Sequence, residues 1–288
     1  MEPNFPATPE EIGPWRKRHG ATADEARKRF MQYAVLESIA SDHGLAHAIA
    51  FKGGNALRFI YGNRRSTLDL DFTADGDFPD DDEEIRRRLD EALRSALPRF
   101  RVKARCQRVR RNPPGREKTR PTYDISVGYL LPGDRQYHNF AESLSVSSTI
   151  DVEISLNEVV CEAAMRRMTP IGRELRVCTL DAIVAEKLRA LLQQAIRRRS
   201  RPQDVYDIAS ILHRLGETLD LEKVARFLIR KAESREIVAR KGGFDARTRD
   251  LAATGYDAEI RPNAPEFIPF EGAWSAVLDL VSRLEIPD

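Results

Sequence analysis

Apolar and polar positions along the chain fall into two regimes. Residues 24–42, DEARKRFMQYAVLESIASD, repeat Phe30, Tyr33, Ala34, Leu36 and Ile39 at helical spacing and predict a helix. "HAIAFKGG" reads as a short apolar strand ending at a glycine turn, and "NALRFIYG" as one or two helical turns closed by Gly62. "TLDLDFTA" alternates strictly and predicts a strand. Residues 83–97 carry Ile85, Leu89, Ala92, Leu93 and Ala96 on one helical side and stop at Pro98. Strands are expected over 99–109, 122–131 and 148–156, with the Pro-Pro-Gly loop of 111–121 between the first two. Beyond "DVEISLNE" the period changes. Residues 180–198 predict a helix capped by Thr179, a second helix follows Pro202, and a third spans roughly 221–239. The tail from Asp257 is Pro-rich and then helical again.

This order predicts an α+β fold: a mixed β-sheet core with helices, followed by a mostly helical C-terminal half. The expected division is an α/β lobe with a helical lead-in over residues 1–157 and a helical lobe over 158–288. No stretch reads as a flexible linker, so the two are expected to pack together.

Composition narrows the classes. Hydrophobic residues make up 41% and charged residues 32% of the 288, an ordinary globular balance. No window approaches the ~18 uncharged apolar residues of a transmembrane helix, and the acidic, Pro-containing N-terminus is no secretory signal. Cys106, Cys161 and Cys178 lie far apart without a CxxC, which points to a reducing cytoplasm and away from disulfides or structural zinc. The five histidines lack metal-ligand spacing and receive no role. Net charge is +2, but unevenly spread. Seven acids and no base occupy 75–84, whereas ten Lys or Arg and one acid occupy 99–120; Arg197, Arg198, Arg199 and Arg201 form a further cluster. The basic runs suit a polyanion, and the acidic run reads as a solvated loop feeding a helix.

Candidate chemistry sits in "FKGGNALRFIYGNRRSTLDLDF". Residues two apart on a strand point the same way, so Asp69 and Asp71 are expected on one face and Leu68, Leu70 and Phe72 on the other. Two carboxylates that close repel unless a cation lies between them, and a hard divalent ion, Mg²⁺ or Mn²⁺, satisfies oxygen ligands best. Gly53 and Gly54 end a strand and open a helix, where backbone N–H groups can approach a phosphate. Lys52, Asn55 and Arg65 flank these features and complete the candidate nucleotide-binding set. "TIDVEIS" is a second alternating strand that offers Asp151 or Glu153 as a third acid, with spacing favouring Glu153. Two metals on three carboxylates suit in-line phosphoryl or nucleotidyl transfer from an NTP.

Together these blocks resemble the AbiEii/AbiGii toxin family, nucleotidyltransferases of the DNA polymerase β-like superfamily found in toxin–antitoxin and phage-defence pairs. The resemblance covers roughly residues 48–215. It includes Glu186-Lys187-Leu188-Arg189-Ala190-Leu191 on a helix and Arg201-Pro202-Gln203-Asp204-Val205-Tyr206-Asp207 after it. It implies that Gly53 and Gly54 shape a triphosphate loop, that Asp69, Asp71 and Glu153 bind the metals, that Lys187 contacts phosphates, and that Asp204 acts beside Lys187, with Asp207 as the alternative. On the helix pattern, Val184, Leu188, Leu191 and Ala195 form the buried stripe and Lys187 lies at its margin. Asn55 stands where the family commonly has Thr or Ser, and Thr67 stands in a Ser position. The implied function is the toxin of a toxin–antitoxin pair that passes NMP from an NTP to an acceptor, notably the 3′ end of tRNA, with a separate antitoxin protein as partner. The other readings are a nucleotidyltransferase that modifies a protein hydroxyl, a non-catalytic nucleic-acid-binding module, and a DxD glycosyltransferase, which leaves the glycine pair without a role.

Overall fold

The computed structural model describes residues 4–75, 78–115, 121–140 and 145–288. Parts of the acidic run (76–77) and of the basic run (116–120) lie outside the described residues. The chain forms two compact units and passes repeatedly from one to the other. The first comprises 1–60, 68–158 and 165–177; the second comprises 61–67, 159–164 and 178–288.

The first unit opens with α1 (Ile12–His19), α2 (Ala23–Ser41) and α3 (His43–Ala48). Strand β1 (Ile49–Lys52) runs directly into α4 (Gly53–Phe59), and β2 (Leu70–Ala74) and α5 (Asp82–Ala96) follow. Next come β3 (Lys103–Asn112), β4 (Thr122–Leu130), β5 (Thr149–Ser155), β6 (Ala163–Arg167) and β7 (Glu174–Cys178). Among the described residues the strands make one mixed sheet in the order β3-β4-β5-β2-β1-β7-β6. β2 runs antiparallel to β1 and parallel to β5, and β5 runs antiparallel to β4.

Alternation decides what each face of the sheet does. Phe51, Leu70, Phe72, Val152, Ile154, Ile125 and Val127 are buried on one side. Phe51 and Phe72 are register partners with ring centroids 5.1 Å apart. Each such side chain contributes about 1.5–3 kcal/mol on burial. α5 packs on β3 and α2 through Ile85, Leu89 and Leu93. α2 is buried along most of its length, including Arg29, Gln32 and Glu37.

Two expectations shift here. β2 begins at Leu70, so Asp69 stands one residue ahead of the strand, and Leu68 is 61% exposed rather than in the core. The apolar face of this strand is Leu70 and Phe72 alone. β3 starts four residues later than expected, because Pro98 opens a 3-10 turn over Leu97–Phe100 that ends with Arg101 in the left-handed region.

In the second unit, α6 (Leu180–Arg197) is capped by Thr179, whose hydroxyl accepts from the Ala182 N–H. α7 (Pro202–Leu215), α8 (Leu221–Glu233), α9 (Ala246–Ala253), α10 (Tyr256–Ile260) and α11 (Phe270–Arg283) complete it. α6 packs on α8 and α9, and α7 on α11. α8 stops at Glu233, short of the expected 239, where Ala232 O accepts from the Arg235 and Ile237 N–H groups in a closing turn.

Candidate active site

The polar face of the sheet carries the acids. Asp71 is the register partner of Glu153, and Glu153 of Asp124. Register partners on neighbouring strands lie about 5 Å apart with side chains on the same side. Asp151 occupies the same face two residues before Glu153. Asp69 is close enough to Asp151 to feel its charge. Burial first, and then the Asp151 carboxylate, push the Asp69 pKa up, against the opposing pull of Lys28. The face therefore holds two acid pairs, Asp69 with Asp151 and Asp71 with Glu153, flanked by Asp124. Asp151 and Glu153 are exposed, and Asp69 and Asp71 half-buried.

Gly53 brings the turn to these acids. It adopts φ +71°, in the left-handed region, and a Cβ there would stand 2.9 Å from Asp71 Cγ and closer still to Oδ2. The Asp71 carboxylate thus lies against the bare backbone at the head of α4, a position only glycine permits. Gly54 follows it, buried in the first turn. Lys52, the register partner of Asp71, forms an ion pair with Glu158, and Glu158 also accepts from Thr73 Oγ1 at 3.0 Å.

Asn55 is buried. Its Nδ2 donates to the Asp69 carbonyl at 2.6 Å, and its Oδ1 accepts from Arg29 Nη1 at 2.9 Å. The amide thus holds the backbone of Asp69.

The remaining candidates belong to the second unit and form one ion cluster. Lys187 Nζ pairs with Asp204 Oδ1 at 2.8 Å and with Asp207 Oδ2 at 2.7 Å. Arg65 grips Asp207 with both fork nitrogens, Nε at 2.7 Å and Nη2 at 2.8 Å. Lys187 is buried, not at the helix margin, because α6 is enclosed on more than the Val184–Leu188–Leu191 stripe. Burial alone would raise the Asp207 pKa, but Arg65 and Lys187 outweigh it and hold the carboxyl at about 2. The expectation that named Asp204 or Asp207 as the partner of Lys187 finds both in contact.

Several supporting residues carry no sequence signal. Arg29 and Gln32 sit in a helix buried nearly all round, so periodicity cannot mark them. Glu158 follows its strand in a loop. Asp124 shares a face with Glu153 only once the register is known.

Among the described residues no three His, Cys, Asp or Glu side chains form a ready-made metal cage. The donor set nevertheless fits a hard divalent cation: its groups are carboxylate oxygens, and one of them, Asp69, is raised in pKa by burial and by a neighbouring like charge.

The site thus sets a glycine turn against paired acids on a mixed sheet. The nucleotidyl transferase AbiEii toxin family of type IV toxin–antitoxin systems matches residues 34–279, and the chain belongs to that family. It is therefore a nucleotidyltransferase toxin whose system supplies an antitoxin partner. JHP933 from Helicobacter pylori shares its fold at a TM-score of 0.53 and 14% identity, over 91% of each chain. MenT4, the nucleotidyltransferase toxin Rv2826c from Mycobacterium tuberculosis H37Rv, aligns at a TM-score of 0.49 and 18% identity, over 91% of this chain and 94% of that one. No curated protein matches the chain. Among the described residues no helix is long and apolar enough to cross a membrane.

Proposed function

We propose that the enzyme transfers a nucleoside monophosphate from an NTP to the 3′ hydroxyl of an RNA, with tRNA as the acceptor its family resemblance suggests. The observation that carries this reading is the close approach of Gly53 to Asp71, in register with Glu153. It sets the backbone at the head of α4 beside paired acids. Asp69, Asp71 and Glu153 would hold Mg²⁺ or Mn²⁺, with Asp151 beside them. Bound there, the metal would supply a Lewis acid to the transferring phosphoryl group and lower the pKa of the attacking hydroxyl. The N–H groups of the Gly53–Gly54 turn would orient the triphosphate. Glu153, exposed on the same face, would take the proton of the acceptor hydroxyl. The new bond joins the acceptor oxygen to the α-phosphorus, and the α–β bridging bond breaks with the electron pair leaving on pyrophosphate.

The register favours a nucleic-acid acceptor over a protein. Lys103, Arg105, Arg108 and Arg110 on the edge strand β3 share the polar face with the acids. Arg108 pairs with Ser126, itself the partner of Asp151, and Arg110 pairs with Asp124. The face thus runs from acids at its centre to cations at its rim, as a phosphate chain with a reactive end requires. Lys187 and Asp204 enter this reading as parts of the buried cluster with Arg65 and Asp207, which ties 61–67 to α6 and α7. The cytoplasm, which holds NTPs and tRNA, is the compartment this work requires.

The test is incubation with each labelled NTP, Mg²⁺ and total tRNA, alongside Asp69→Asn. Label on RNA that vanishes in the variant is the expected result. Label on a protein band would transfer the reading to protein modification, and no transfer to either would overturn it.

A further inference from the structure

Asp69 lies outside the strand ladder, so something other than sheet pairing must hold it. The structure supplies a buried three-residue relay. Arg29 Nη1 donates to Gln32 Oε1 at 2.8 Å and to Asn55 Oδ1 at 2.9 Å. Gln32 Nε2 donates to the Leu68 carbonyl at 2.6 Å, and Asn55 Nδ2 to the Asp69 carbonyl at 2.6 Å. Arg29, Gln32 and Asn55 are all at most 2% exposed.

The chemistry makes this arrangement directional. A guanidinium only donates, so each amide turns its oxygen to Arg29. Each NH₂ then faces outward, where two successive backbone carbonyls, which only accept, receive it. One buried cation on α2 therefore sets the orientation of both amides, and both amides pin the peptide units on either side of the Asp69 Cα. Buried hydrogen bonds of this kind are costly to break one at a time, because each loss leaves a desolvated partner.

We infer that Arg29 and Gln32 are positioning residues that hold the Asp69 backbone so that its carboxylate meets the divalent cation. The inference rests on the proposed metal-dependent reading and extends it to a helix that contributes no ligand. Outer residues that orient metal ligands typically change affinity by about 10–100-fold when altered.

Gln32→Glu is the diagnostic variant. It is isosteric, it strengthens the bond with Arg29, and it turns a carboxylate oxygen against the Leu68 carbonyl, an acceptor facing an acceptor. Gln32→Met, which removes the donor without adding charge, serves if the first variant does not fold. Mn²⁺ affinity is measured by calorimetric titration with a non-hydrolysable NTP analogue present, on wild type, both variants and Asp69→Asn, with melting curves beside it. The expected result is Mn²⁺ binding weakened about tenfold or more in the Gln32 variants while the protein remains folded at the assay temperature. Unchanged Mn²⁺ affinity, even with a lowered Tm, would overturn the inference and leave the transferase reading standing. Absence of Mn²⁺ binding in the wild type itself would overturn both.

Discussion

Replacing Gly53 by alanine separates two effects that the structure predicts at one position. The first is backbone strain. At φ +71° a Cβ costs about 1–2 kcal/mol. For a chain of this size that corresponds to a Tm loss of roughly 2–8 °C. The second is displacement. The new methyl would overlap the Asp71 carboxylate and push it aside. The carboxylate must move by about 1 Å, and a ligand misplaced by that distance costs about 100-fold in rate. Gly62→Ala supplies the control, since Gly62 has φ +72° and nothing within 4 Å of the added Cβ. Both variants should melt lower by similar amounts, and only Gly53→Ala should lose single-turnover transfer at saturating NTP and Mg²⁺. Equal activity in the two, or full activity in Gly53→Ala, would refute the placement of Asp71 against the glycine turn as the catalytic arrangement.

Three further outcomes are open to measurement. Lys187→Met leaves Asp204 and Asp207 with one buried cation between them, and urea unfolding should show a loss of about 3–5 kcal/mol; wild-type unfolding together with a raised KM for NTP would instead make Lys187 a phosphate ligand. Asp207 is depressed to about 2 from an ordinary 3.8. A depressed acid stabilises the fold above its unfolded pKa, so ~2 kcal/mol should be present above about pH 4 and disappear as pH falls towards 2. Urea midpoints across that range should show this, and Asp207→Asn should remove that part of the slope. Arg108→Glu combined with Arg110→Glu should raise the KM for RNA without changing that for NTP, and should flatten the log–log salt dependence by about one for every phosphate no longer neutralised; an unchanged RNA KM would remove β3 from the acceptor path.

What can be read from the sequence follows from what alternation encodes. TIDVEIS declares its two faces because the core takes every second residue, and the same argument places the acids of that strand. Thr179 and Pro202 mark helix starts through local chemistry, and both start helices in the structure. β6 leaves no such mark, and β7 only a brief one. AAMRR has no apolar alternation to display, and ELRVC buries only Leu175, Val177 and Cys178 within five residues. Alternation assigns Leu68 to the core only by extending the period past the point where the ladder begins. Period alone puts Lys187 at a helix margin because it shows one packed stripe, whereas burial of a cation depends on partners 17 and 20 residues away on the next helix. Arg29 and Gln32 are the extreme case: polar residues inside a helix packed on most sides, which only their partners in three dimensions explain.

The repeated passage of the chain between its two units bears on how the protein can be cut or rearranged. Each unit is assembled from three separate stretches. No single truncation therefore isolates either one. A fragment ending near residue 158 would lack β7, the parallel neighbour of β1, and would turn the strand that leads into Gly53 into a raw sheet border. Such a piece should aggregate or pair with itself rather than persist as a small working transferase.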